Sequence, residues 1–280
     1  MSANIWVNGI FQDKVSAFDR GLAYGDGLFA TMRSSKNGVL FFDAHLRRLQ
    51  QSCRRLGVVW QPSEELRQLI EKVGTEGAVA SQRDVCVKFL LSRGVGGRGY
   101  QAPESAQLTE VVSVHAIPAH YADWQSSGIN LQTSEMTLAF QPRLAGIKHL
   151  NRLEQVLIRA QALDDDSDDW LVLDTQGNVI ESSMANLFLI KGKQVVTPSL
   201  QGSGVAGVMR EQLIYWFIDA GFHVDCRPVL YDELKDHAQF DHALLSNSLF
   251  GVVGIKRIDK RMLSASELPQ GILNDLALVL

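Results

Sequence analysis

Lys148 lies in the run AGIKHLNRLEQ, directly after Ala145, Gly146 and Ile147. A lysine held in such an apolar setting loses part of its proton affinity, and its neutral amine can attack an aldehyde to form a Schiff base. The same residue beside a helix start is equally well an ordinary solvated charge, and position alone leaves both readings open. The other candidates are as ambiguous locally. Glu181 precedes Ser182 and Ser183 at the end of an expected strand, where a polar turn residue is common. Arg47 and Arg48 both fall off the apolar stripe of an expected helix, as surface charges do. The run GVAGVMRE opens a helix around Val208 and Met209, and glycine-rich helix starts are frequent. Arg98 and Tyr100 occupy a glycine-rich loop, which read alone is flexible chain with exposed charge.

The elements that must position these residues follow from periodicity. Ile5 to Val7, the turn Asn8-Gly9 and a return strand form an expected hairpin. The stretch RGLAYGDGLFATMR runs into an apolar alternation from Leu28 to Met32, and Asn37-Gly38 turns the chain toward a strand from Val39 to Phe42. Phe29 and Thr31 alternate with Leu28 and Ala30, so one pair enters the core and the other faces away from it. Asp43 is placed to cap a helix in which Leu46, Leu49, Cys53 and Leu56 recur at helical spacing, with Gly57 as its stop. A weaker helix spans Ser63 to Val73, and strands are expected at Val85 to Ser92 and Glu110 to Ala116.

Ile117-Pro118-Ala119-His120 breaks this pattern, and the polar segment beyond it reads as a linker. The expected division is an α+β domain over 1–119 and an α/β domain over 120–280 that carries Lys148. In the second half, Leu150, Leu153, Val156, Leu157, Ala160 and Leu163 form a helical stripe ending in DDDSDD. A meander of strands follows at Trp170 to Leu173, Val179 to Glu181, Ala185 to Ile190 and Gln194 to Thr197. A helix from Val208 to Ala220, strands at Phe222 to Cys226 and Ala243 to Ser246, and a helix from Ala265 to Leu278 complete the chain.

Bulk properties narrow the function. The chain has 280 residues, 46% of them hydrophobic, enough for one large core or two modest ones. A net charge of −4, from 27 basic and 31 acidic residues spread along the chain, offers no field for nucleic acid or an anionic membrane surface. A small molecule or another subunit is the expected partner. The opening MSANIWVNGIFQDKV carries no basic flank followed by a long apolar run, so a soluble, non-secreted, cytoplasmic protein is expected. Cys53, Cys86 and Cys226 are too few and too scattered for a disulfide framework or a metal site, and read as buried free thiols.

Several separated motifs then point the same way. SRGVGGRGY from Ser92 to Tyr100, RLAGIKHLNRLEQVLIR from Arg143 to Arg159, DAHLRRL and ANLF together resemble the fold-type IV pyridoxal-phosphate (PLP) enzymes. That group includes branched-chain and D-amino-acid transaminases and the lyases acting on 4-amino-4-deoxychorismate. The first two motifs are most similar to the lyase branch. Branched-chain transaminases carry a tyrosine soon after the Schiff-base lysine, and no tyrosine lies between Lys148 and Ile158.

The resemblance implies a two-domain, mixed α/β fold of the D-amino-acid aminotransferase type, with PLP in the cleft between domains and a homodimer with its site near the subunit interface. It makes Lys148 the Schiff-base residue and proton carrier. Glu181 becomes the partner of the pyridine nitrogen, keeping the ring protonated as an electron sink, with Asn186 in support. Arg48 is singled out to grip the phosphate, joined by the amides of Val208 and Met209 at their helix start and by Asn247. Arg98 and Tyr100 stand where D-amino-acid transaminases hold a substrate carboxylate with arginine and histidine, and Phe29 and Thr31 are the remaining substrate-side candidates. The implied reaction converts 4-amino-4-deoxychorismate to 4-aminobenzoate and pyruvate, a step toward folate. The alternative is transamination of D-amino or branched-chain amino acids.

Overall fold

The computed structural model describes residues 4–96, 98–235, 239–263 and 268–280. The chain divides into two compact units. Unit 1 comprises residues 1–118 and Ile147–Asn151, and unit 2 comprises Ala119–Gly146 and Arg152–Leu280.

Unit 1 begins with β1 (Asn4–Val7) and β2 (Ile10–Phe11), followed by α1 (Arg20–Tyr24), β3 (Gly27–Ser35) and β4 (Gly38–Val39). Two longer helices, α2 (Phe42–Arg55) and α3 (Glu64–Ser81), precede β5 (Val85–Val95) and β6 (Gln107–Ala116). The strands form one antiparallel sheet in the order β2-β1-β6-β5-β3-β4. One face is covered by the apolar sides of α2 and α3, where Leu46, Leu49, Ile70 and Val73 meet Leu28, Ala30, Met32 and Phe89. Burial of that apolar surface is the main force holding the layers together.

Several boundaries differ from expectation. The chain at Phe42 is already helical, so β4 stops at Val39 and Asp43 sits in the first turn of α2, which has no side-chain cap. Ser63 does cap α3, its hydroxyl accepting from Leu66 N at 3.1 Å. That helix continues past Val73 to Ser81, through Gly74 and Gly77. Gly74 is there for contact: a Cβ on it would lie 2.5 Å from Ser34 Oγ and 3.0 Å from a Val87 methyl.

In unit 2, the segment expected as a linker forms α4 (His120–Ser127), anchored by Tyr121 and Trp124 against Phe250. Next come β7 (Ile129–Thr133), α5 (Leu153–Ala160), β8 (Asp169–Leu173), β9 (Val179–Ser182), β10 (Asn186–Lys191) and β11 (Gln194–Pro198). Then α6 (Val208–Asp219), β12 (His223–Arg227), β13 (His242–Asn247), β14 (Gly251–Ile258), β15 (Arg261–Met262) and α7 (Ile272–Asp275) end the unit. The nine-stranded sheet runs β12-β11-β10-β13-β14-β7-β8-β9, with β15 on β14. Because β9 also pairs with β10, six of these strands close into a ring. The expected meander β8 to β11 is present, and β7, β14 and β15 are additions to it.

The expected last helix shrinks to one turn, Ile272–Asp275; its proposed beginning at Ala265 lies outside the described residues. Cys53 and Cys86 are buried, and burial pushes their thiols up to about 12 and about 11. Cys226 is exposed, contrary to expectation, because β12 is the edge of its sheet. No helix among the described residues is long and apolar enough to cross a membrane.

Candidate active site

The segment around Lys148 departs most from the sequence reading. It does not belong with the second half of the chain: Ile147–Asn151 packs into unit 1. Lys148 O accepts from Phe29 N at 3.0 Å, Leu150 N donates to Gly27 O at 3.0 Å, and His149 bridges Leu28 antiparallel. The segment thus adds a short strand to the free edge at the start of β3, and Ile147 joins the core there. These residues are spent on pairing, so the expected helical stripe starts only at Leu153. Leu153, Val156 and Leu157 of that stripe are exposed, and the buried residue of the helix is Ile158, which lies off it.

Pairing fixes where the lysine amine goes. On β3, Leu28, Ala30 and Met32 enter the core, so Phe29 and Thr31 occupy the opposite face. The Lys148 Nζ lies 4.4 Å from the centroid of the Phe29 ring, on that face. Lys88, two residues from the cross-strand partner of Phe29, approaches the same ring at 5.5 Å.

Arg48 is half-buried on α2. One turn before it stands His45, which sequence reasoning missed: it is 1% exposed, and its ring nitrogens have no hydrogen-bond partner among the described residues. Burial, with the charges of Arg48 and Lys148, holds the imidazole well below its ordinary value, so it is neutral. The one available signal was its place three residues before Arg48, on the same helix face.

Arg98 and Tyr100 are exposed on the loop after β5, Tyr100 at 88%. Their loop is held by α1: Tyr24 and Tyr100 meet edge to face at 5.5 Å, and Gly99 N donates to the Tyr24 hydroxyl at 3.2 Å.

In unit 2 the strand register does the assembling. A tight turn, closed by Ser182 N donating to Ala185 O at 2.7 Å, sets Glu181 on β9 opposite Asn186 on β10. Asn186 in turn faces Ser246 on β13, giving a cross-strand row Glu181, Asn186, Ser246. Glu181 is 6% exposed; its Oε2 accepts from Val205 N at 2.9 Å and from Asn186 Nδ2 at 3.3 Å. Asn186 Nδ2 also donates to Val205 O at 2.8 Å. Two arginines add their fields to this carboxylate. Burial draws Arg152 and Arg210 below their ordinary values, and the charge of Glu181 opposes that in both.

Val208 and Met209 are the first residues of α6, whose cap position, Gly207, offers no side-chain acceptor. First-turn amides have no intrahelical partner, which leaves them as donors for an anion. A Cβ on Gly207 would overlap Asn186 Oδ1, so this helix start sits directly against the Glu181 row. Asn247 closes the turn into β14: its Oδ1 accepts from Leu249 N and Phe250 N, both at 2.9 Å, and its Nδ2 lies 3.5 Å from Met184 O. The adjacent Ser246 hydroxyl is 1% exposed and has no partner among the described residues.

Three comparisons bear on this arrangement. The family model for amino-transferase class IV matches residues 27–258. Aminodeoxychorismate lyase from Vibrio harveyi is 36% identical over 253 residues, covering 90% of each chain. Among solved structures, 4-amino-4-deoxychorismate lyase from Pseudomonas aeruginosa superposes with a TM-score of 0.87 at 36% identity, covering 97% of both chains. The branched-chain amino acid aminotransferase of Escherichia coli shares the fold, with a TM-score of 0.82 at 19% identity, over 98% of this chain and 92% of its own.

Proposed function

The chain belongs to the class IV aminotransferase family, and from that premise we propose that it is a PLP-dependent lyase converting 4-amino-4-deoxychorismate to 4-aminobenzoate and pyruvate. The observation that carries the lyase reading over a transaminase is the full-length similarity to aminodeoxychorismate lyase, 36% over 90% of both chains.

The donor set suits PLP. An amine, a guanidinium, uncapped helix amides and a buried unpartnered hydroxyl match an aldehyde and a phosphate, and a buried carboxylate matches a pyridine nitrogen. When bound, PLP supplies the aldehyde that engages the substrate amine and a ring that accepts the electron pair left on the substrate carbon. The Val208 and Met209 amides and the Ser246-Asn247 turn would hold the phosphate, and Arg48 is the guanidinium assigned to it. The Ser246 hydroxyl, buried and without a partner among the described residues, would add a side-chain donor there beside Asn247. Glu181 would keep the proton on the pyridine nitrogen, with its carboxylate fixed by Asn186.

The Lys148 amine would take the proton from the amine-bearing ring carbon. That proton is returned to the methylene of the enolpyruvyl group as its ether bond breaks, so pyruvate leaves and the ring becomes aromatic. The reaction is an isomer-balanced cleavage that needs no keto-acid acceptor. Arg98 pairs with a substrate carboxylate; Tyr100, Phe29 and Thr31 shape the space around the ring.

The reading includes a homodimer, supported by the exposure of Tyr100 and of Phe18, Leu22, Leu153 and Val156. It also includes a cytoplasmic location, supported by three free cysteines. The test is incubation of the PLP-loaded protein with 4-amino-4-deoxychorismate and no acceptor. Equal amounts of 4-aminobenzoate and pyruvate are expected. Keto-acid formation from D-amino or branched-chain amino acids that depends on an added acceptor, without 4-aminobenzoate, would establish the transaminase instead.

A further inference from the structure

Arg20 is a charged residue outside the machinery described so far, yet it is only 4% exposed. It opens α1, and the helix start is itself locked to the sheet. Asp19 caps the helix, accepting from Gly21 N at 2.7 Å, from Ser92 Oγ at 2.6 Å on β5 and from Thr109 Oγ1 at 2.7 Å on β6. From this fixed base the Arg20 guanidinium reaches the loop after β5. Its Nη1 donates to Gly99 O at 3.1 Å and Gln101 O at 3.2 Å, and its Nη2 to Tyr100 O at 2.9 Å. Its Nε donates to Asp26 Oδ2 at 2.8 Å, an oxygen shared with Arg93 Nε at 2.8 Å.

Three consecutive backbone carbonyls converging on one guanidinium require a tightly curved chain, and a planar donor fork imposes that curve in one orientation. Burial alone would raise Asp26, but Arg93 and Arg20 hold its carboxyl below its ordinary value, so the counter-charge that aims the fork is present at neutral pH. Tyr24 completes the clasp through its hydroxyl on Gly99 N, with the Arg20 guanidinium 4.9 Å from its ring centroid. The residues so held flank and include the pair exposed for substrate, Arg98 and Tyr100. A side chain on an exposed loop binds a carboxylate well only if its backbone is already in place, since ordering it during binding costs affinity.

We propose that Arg20, assisted by Tyr24, is a positioning residue that sets the Arg98–Gln101 backbone and thereby the substrate's carboxylate contact. The inference rests on the reading of Arg98 as a substrate-carboxylate ligand. A mere structural brace would lower stability and leave substrate affinity alone; a positioning residue moves KM through Arg98.

The experiment is a double-mutant cycle on the PLP-loaded enzyme with R20K, R98Q and the pair together, read as KM and kcat for 4-amino-4-deoxychorismate. R20K keeps a charge for Asp26 and loses the fork. Each single variant is expected to raise KM about ten- to a hundredfold with a much smaller change in kcat, as misplacement of a binding group does. PLP affinity, followed by its visible absorbance, is expected to stay unchanged, and the double variant to be no worse than R98Q alone. R98Q raising KM while R20K lowers only the melting temperature would overturn the role of Arg20 alone. Multiplicative effects in the double variant would do the same. An unchanged KM in R98Q would instead remove the loop from substrate binding, and the inference with it. If R20K does not fold, Y24F leaves the ion pair intact and frees Gly99 N; its KM is expected to rise about two- to threefold, the loss of one hydrogen bond, and an unchanged KM overturns the clasp.

Discussion

The two units contribute to the chemistry in different ways. In unit 1 the groups proposed for function are long cationic side chains on separate elements: Lys148 on an added strand, Arg48 on α2 and Arg98 on an exposed loop. In unit 2 they are an anion and backbone donors joined in one piece, because Glu181, Asn186 and Ser246 are consecutive partners across β9, β10 and β13 and the α6 start abuts them. A residue in unit 1 is therefore tuned by what holds its own element, as Arg20 holds the loop. A residue in unit 2 is tuned by its neighbours in the row. Independent parts should fail independently, and a connected row should fail together.

Removing the lysine amine is the most severe way to probe that contrast. K148A is expected to abolish the absorbance of the lysine-bound cofactor and to lower turnover by at least about a thousandfold, the scale of a lost acid–base group and more. Full turnover in that variant would reject the assignment. In unit 2, E181Q is expected to lower kcat by about a hundredfold, about 2.7 kcal/mol of transition-state stabilisation. Adding N186A to E181Q should cost little more, since the amide acts through the carboxylate it contacts. A fully additive double variant would show that the row is not a unit.

A smaller effect is expected at Gly207, where the added methyl of G207A must displace Asn186 or the first turn of α6. The prediction is about a tenfold weaker retention of PLP in equilibrium dialysis, the loss of about one phosphate contact, with stability of the free protein little changed. His45 gives a signal in stability alone and tests unit 1 without touching catalysis directly. Its buried imidazole titrates well below 6.5, so below that pH the unfolded chain binds a proton that the folded one does not. Stability from this residue is intact above about pH 6.5 and falls by about 1.4 kcal/mol per pH unit below it, until the folded-state value is reached. Urea titrations from pH 7 to 5 should show a shallower decline for H45Q than for the parent protein. Equal slopes would mean the imidazole takes up its proton in the fold.

Sequence pattern carried the hairpin from β9 to β10 because its apolar residues fill both strands and the turn between them is polar, and that hairpin alone places Glu181 against Asn186. It also carried α6 and the alternation on β3, leaving open only which face of β3 was inside. The Lys148 segment was hidden for a physical reason. Its strand is short, its partner is β3 far back in the chain, and the apolar residues that follow mimic a longer helix. β7 escapes the pattern because INLQT is half polar, and α4 reads as a linker because its anchor, Phe250, is distant in sequence. Arg20 could not be found by type or spacing, since the loop it holds meets it through main-chain carbonyls, which every residue possesses.

The return of Ile147–Asn151 to the edge of β3 also has a bearing on biosynthesis. When residues 1–118 have left the ribosome, their sheet still shows bare amide and carbonyl groups beside Gly27 and Phe29, a template for the wrong neighbour. Only after the chain has passed through α4 and β7 and emerged to residue 151 does the proper strand arrive. The segment that carries Lys148 is thus also the one that covers this open edge.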